Sequence, residues 1–119
     1  MSQKASHLEA CLKREITKLY KESFGKGPDT ATVRIQENIA IVKLEGGLTL
    51  LERSLMNTID GFRLVRNIRD QLIEEHFQIY SSTLEEVVNT KLDKVSYAIS
   101  NDNDTIYMFL IFKDKISKP

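Results

Sequence analysis

The sequence predicts an α+β domain: a four-stranded antiparallel sheet assembled from two β-hairpins, with helices packed on it, in the order α-ββ-ααα-ββ. Three observations predict it. Two pairs of β-branched and aromatic runs, at 31–46 and 94–113, are each interrupted by short polar turn residues. The opening segment repeats apolar side chains at spacings of three and four. The stretch between the hairpins carries helix-capping patterns and no proline. Residues 1–119 read as a single domain, with no linker, repeat or low-complexity tract.

Residues 4–23 form the first predicted helix. Ala5, Leu8, Leu12, Ile16 and Leu19 make one stripe, and Lys13, Arg14, Thr17, Lys18 and Lys21 lie away from it. Gly25-Lys26-Gly27-Pro28 stops it, since Gly25 can take a left-handed cap and Pro28 cannot continue the ladder. Strands follow at 31–36 and 39–46, joined by Glu37-Asn38, where Asn tolerates positive φ. Gly46-Gly47 ends the second strand. Thr49 and Glu52 then supply a capping box for a helix from 50 to about 59. Asp60-Gly61 reads as a break before a helix over 62–79. Ser82-Thr83 with Glu85 and Glu86 repeats the capping signal for a short helix at 83–91, with Leu92 on its apolar side. Strands at 94–100 and 105–113 flank Asn101-Asp102-Asn103-Asp104, all turn-forming residues.

The last strand is apolar on both faces. Tyr107, Phe109 and Ile111 alternate with Ile106, Met108, Leu110 and Phe112. Such a strand is expected inside a sheet and covered on both sides. One helix layer covers one face, so the other calls for the N-terminal helix or a second copy of the chain. The reading favours a homodimer over a monomer with helices on both faces.

Composition excludes several classes. Hydrophobic residues at 41% and charged residues at 29% mark a globular chain. Lys plus Arg number 17 and so do Asp plus Glu, so no broad field draws the chain to nucleic acid or anionic lipid. Cys11 is the one cysteine, which rules out an internal disulfide and a CxxC pair and suits the reducing cytoplasm. The N-terminal run has no apolar core of signal-peptide length, and no stretch approaches the ~20 apolar residues of a membrane helix. The expectation is a cytoplasmic protein without direct membrane insertion and without a nucleic-acid partner.

No catalytic or metal constellation is complete. His7 and His76 make no H-x-x-x-H pattern, so neither a metal nor a cofactor is expected. Cys11 borders an apolar stripe in mid-helix and reads as structural. Gly25-Lys26-Gly27-Pro28 runs from helix to strand, the reverse of a phosphate loop, although its amides and Lys26 could hold an anion. Glu45 and Glu52 are the carboxylates most expected to be partly buried. Arg69 is the anomaly: on a wheel of 62–79 it falls, like His76, within the arc of Phe62, Val65, Ile68, Leu72 and Ile73. A guanidinium there keeps its proton and must find a carboxylate, a carbonyl or an anionic ligand. Its stem can also snorkel, or it can pair with Glu45 or Glu52. Arg63 and Arg66 are expected to be solvated.

Four stretches together resemble the MpsC-like (YbcI-like) family, long regarded as a bacterial domain of unknown function. They are GKGP at 25–28, the hairpin after it, LEGGLTLLE at 44–52, and G-x-x-x-V-x-x-x-R at Gly61, Val65 and Arg69. The resemblance spans about residues 5–113, and G-x-L-T-x-x-E at Gly46, Leu48, Thr49 and Glu52 is its most specific part. Where the family often has a glycine-valine turn after the short helix, this chain has Lys91-Leu92-Asp93-Lys94. The resemblance implies a cytoplasmic accessory protein of a cation-translocating, membrane-potential-generating system, of the kind linked to bicarbonate or carbon dioxide uptake.

The expected function is therefore a non-enzymatic accessory or regulatory binding module, a homodimer at the soluble face of a membrane transport complex. The alternative is a small enzyme or sensor for an anionic metabolite near Arg69. The expected ligand-binding residues are Gly25, Lys26, Gly27, Gly46, Thr49, Glu52 and Arg69.

Overall fold

The computed structural model describes residues 3–100 and 104–116, with side chains from residue 7 onward. The expected turn residues 101–103, the Ala5 side chain and Pro119 lie outside the described residues.

The first helix, α1 (Gln3–Phe24), buries Leu12, Ile16 and Leu19 as its spacing predicts, and Tyr20 joins them. Gly25 ends it at φ 80°, its N–H donating to the Lys21 carbonyl at 2.8 Å. Strands β1 (Thr30–Gln36) and β2 (Ile39–Glu45) form the first hairpin. Its positive φ falls on Glu37, at 58°, and not on Asn38. The Asn38 amide instead donates to the Phe112 carbonyl at 2.8 Å, tying the turn to the end of the last strand.

Three helices follow, with divisions that differ from those expected. Helix α2 is Leu50–Leu55, α3 is Ile59–Glu75 and α4 is Phe77–Val88. Gly61 is no break. It lies in the first turn of α3, where the Thr58 side chain caps its N–H at 3.0 Å. A Cβ there would collide with the Leu55 backbone carbonyl, so the glycine permits α2 and α3 to approach. The next boundary falls at His76, well before the expected Ser82-Thr83 signal. Ser23 of α1 bonds His76 Nδ1 at 2.9 Å, so a tertiary contact fixes the joint and no turn residue is needed. Helix α4 ends at Asn89, which takes the left-handed conformation at φ 61°.

Strands β3 (Leu92–Ser100) and β4 (Thr105–Phe112) complete an antiparallel sheet in the order β1-β2-β4-β3. Leu92 belongs to β3 rather than to the preceding helix, and the pairing with β4 shifts register between Leu92 and Lys94. That irregularity sits in the Lys91-Leu92-Asp93-Lys94 entry to the strand.

Strand β4 is an inner strand, as its two apolar faces require. Ile106, Met108, Leu110 and Phe112 are buried with Ala40, Val42 and Leu44 of β2 and with side chains of α1 and α4 in one core. Each large side chain of that set contributes roughly 1.5–3 kcal/mol. The opposite face carries Ile39, Ile41, Tyr107, Phe109 and Ile111, half-buried and outside that core. The N-terminal helix does not cover them. It lies beside α4 on the other side, so the described chain has two layers, helices and sheet.

Gly61→Ala is expected to destabilise the fold by about 1–3 kcal/mol through backbone overpacking. Gly27→Ala, whose Cβ would make ordinary contacts with the Lys21 side chain at 3.8 Å, should change stability by roughly 0.5 kcal/mol or less. Urea denaturation of both variants checks the contrast.

Candidate functional site

The expected site residues gather where β2 hands over to α2. Gly46, at φ 71°, turns the chain out of the sheet. The N–H groups of Gly46 and Gly47 donate to the Asp104 carbonyl at 3.0 and 3.4 Å, and the Leu48 N–H donates to Asp104 Oδ1 at 3.1 Å. Three consecutive amides are thus held by one residue of the β3–β4 connection. Thr49 then starts α2 with a capping box. Its Oγ1 accepts from the Glu52 N–H at 3.2 Å, and its own N–H donates to Glu52 Oε1 at 2.8 Å.

Arg69 reaches this junction from α3 and is 1% exposed. Its Nε donates to Glu52 Oε2 and one terminal nitrogen to Glu52 Oε1, both at 2.7 Å, a bidentate pair. The same nitrogen donates to the Gly47 carbonyl at 3.2 Å, and the other donates to the Tyr20 hydroxyl at 2.6 Å. Tyr20 in turn donates to the Gly47 carbonyl at 2.8 Å. The guanidinium also lies over the Phe24 ring at 4.2 Å and near the Tyr20 ring at 5.4 Å. Three segments of the chain, α1, the turn after β2 and α2, therefore close on one cation from α3.

The electrostatics follow from that closure. Burial alone would raise the Glu52 carboxyl, but hydrogen bonds from Arg69 and Thr49 outweigh it and hold the group below the usual range. Burial alone would lower Arg69, and its bonds to Glu52 and Tyr20 hold it above. Burial pushes the Tyr20 hydroxyl well up, against the pull of Arg69, so it stays a neutral donor.

The 25–28 loop joins the same junction by its edge. Lys26 Nζ donates to the Gly46 carbonyl and, at 3.3 Å, to the Gly27 carbonyl, and it lies 3.9 Å from Asp29. Gly25 serves as the helix stop. The structure thus brings Lys26, Gly46, Thr49, Glu52 and Arg69 together, with polar groups turned on one another. An anion reaching Arg69 would have to displace Glu52.

Other expectations are corrected. Glu45 is exposed, accepts from Thr30 Oγ1 at 2.7 Å, and takes no part in the Arg69 pair. Arg66 is not simply solvated: it stacks over the Tyr97 ring at 4.5 Å and donates to the Tyr97 carbonyl at 3.2 Å. Tyr97 donates to Asp70 at 2.6 Å, which latches α3 to β3. His76 is engaged with Ser23, and Tyr80 donates to that same serine at 2.8 Å. Sequence reasoning missed Tyr20, Phe24 and Asp104. The only signal for Tyr20 was its position beside the apolar stripe of α1, and Asp104 read as turn chemistry alone.

The chain matches the family model described as Na+-translocating membrane potential-generating system (MpsC) over residues 4–114. It is 30% identical over 104 residues to YrhF of Bacillus subtilis (strain 168), an uncharacterized protein, covering 87% of this chain and 85% of that one. No solved structure gives a significant match.

Glu52→Gln, which leaves Arg69 buried without a carboxylate, is expected to cost about 3 kcal/mol at neutral pH. Because folding depresses the Glu52 pKa, its contribution is full above the unfolded glutamate value of about 4.3 and fades as pH falls through the folded one. Urea titrations from neutral to acid pH should show the wild-type advantage shrinking. An advantage unchanged in acid would contradict the pairing.

Proposed function

The chain belongs to the MpsC family, and from that premise we propose that it is a non-enzymatic accessory or regulatory module of a cation-linked membrane system for inorganic carbon uptake. It works as a homodimer at the cytoplasmic face of that system. The observation that carries this reading is the family match across residues 4–114 in a chain whose described residues include no helix long and apolar enough to cross a membrane. In this reading the ion path belongs to a partner polypeptide, and this chain binds and modulates it.

The site geometry supports a binding module over an enzyme. The buried cation at the junction, Arg69, is neutralised by Glu52 and enclosed by Tyr20 and Phe24. An enzyme or sensor for an anionic metabolite would need that charge free for the substrate.

Deletion of the gene in its native cell tests the proposal. The expected result is poor growth in ordinary air that added carbon dioxide or bicarbonate restores, with a reduced membrane potential reported by a voltage-sensitive dye. Growth and potential unchanged under every carbon dioxide level would overturn it.

A further inference from the structure

The register of the sheet lays out its helix-free face in four rows. From β1 through β2 and β4 to β3 they run Gln36, Ile39, Ile111, Lys94; then Arg34, Ile41, Phe109, Ser96. The next two are Thr32, Lys43, Tyr107, Ala98 and Thr30, Glu45, Thr105, Ser100. The large apolar side chains, Ile39, Ile41, Tyr107, Phe109 and Ile111, lie on the two central strands, which carry Lys43, Glu45 and the buried Thr105 toward one end. The outer strands present small hydroxyls, an amide, Ala98 and two cations. An apolar centre with polar groups around it is the anatomy of a protein interface.

We infer that a second copy of this chain stacks on this face, sheet against sheet, with Ile41, Phe109 and Tyr107 at the centre of the contact. The inference deepens the homodimer part of the proposed function by assigning its surface. Two arguments select a second copy. The first is size. Four strands spaced ~4.8 Å apart and seven residues long at ~3.3 Å per residue give a footprint of about 440 Å² before side-chain relief is counted. That is of the order of the roughly 800 Å² of accessible surface each partner contributes to a standard interface. The second is charge. The face carries Arg34, Lys43 and Lys94 against Glu45, and the rest of its polar rim is uncharged. An anionic membrane would meet a net of two cations, fewer than the four to eight of a lipid-binding cluster. Thr30, Thr32, Gln36, Ser96 and Ser100 can each donate and accept, so the rim suits its own copy.

The other exposed large apolar side chains among the described residues, Leu50, Leu51, Ile59, Leu64, Ile68 and Ile79, all belong to helices and not to this face. Ile68→Lys therefore serves as a control that leaves self-association intact.

Sedimentation velocity of the full chain across a concentration series tests the inference. The wild type is expected to be a dimer. Phe109→Lys should raise the dissociation constant at least roughly 30-fold, with circular dichroism and melting behaviour of a folded chain. Thr32→Lys with Ser96→Lys, a rim change that adds charge of the face's own sign and spares the centre, should weaken the dimer in the same direction. A wild type that stays monomeric up to ~100 μM, the affinity of a weak complex, overturns the inference. So does a dimer that survives both sets of changes, or one lost on Ile68→Lys. Binding of the monomer to phosphatidylglycerol vesicles through Phe109 would overturn it in favour of a membrane surface. None of these results depends on the growth phenotype of the deletion strain, so the assigned face and the accessory role stand or fall separately.

Discussion

Arg69 is a permanent cation placed in the interior, and much of the architecture follows from what that cation requires. A guanidinium cannot shed its charge to suit an apolar setting. The fold therefore brings it a carboxylate from α2, a hydroxyl from α1 and a carbonyl from the turn after β2. Those partners come from three different elements, so satisfying one side chain fixes how α1, α2 and α3 sit against the end of the sheet. The capping box performs two tasks at once: Glu52 starts α2 and neutralises Arg69. The Gly46-Gly47 turn is equally constrained. Its amides go to Asp104 and the Gly47 carbonyl goes to Arg69 and Tyr20. Gly46, Gly47, Thr49, Glu52 and Arg69 thus satisfy polar groups of one another or of their near neighbours at this junction.

Much of this was legible in the sequence because local chemistry encodes it. The stripe of α1, the two hairpins and the Thr49-Glu52 box are each written within a few residues, and the structure forms them there. The placement of Arg69 inside an apolar arc also announced that a partner had to exist. What could not be read was set by contacts distant in sequence. The joint at His76 depends on Ser23, and the role of Tyr20 depends on a residue 49 positions away. Gly61 looked like punctuation because a glycine required for close approach and one required for a turn are the same letter. Its function became visible only with the Leu55 carbonyl beside it.

The sheet divides the molecule into two surfaces with different tasks. On the helix side, a core and a closed polar cluster give stability and hold α3 in place. On the other side, the alternation that fills the core with Ile106, Met108 and Leu110 leaves Tyr107, Phe109 and Ile111 without a helix above them. A strand with two apolar faces commits its second face to something other than the helices of its own chain. The face inferred to bind a second copy and the closed charge cluster lie apart, on opposite sides of the sheet.

The most direct test of this account is the exchange of the Arg69 Nε proton, observed by nitrogen-edited NMR in the presence and absence of bicarbonate. A sealed structural clamp predicts a resolved signal that exchanges only as the fold opens and does not move when bicarbonate is added. A signal that exchanges freely with water, or that shifts saturably with the anion, would show Arg69 open to ligand and would contradict the clamp.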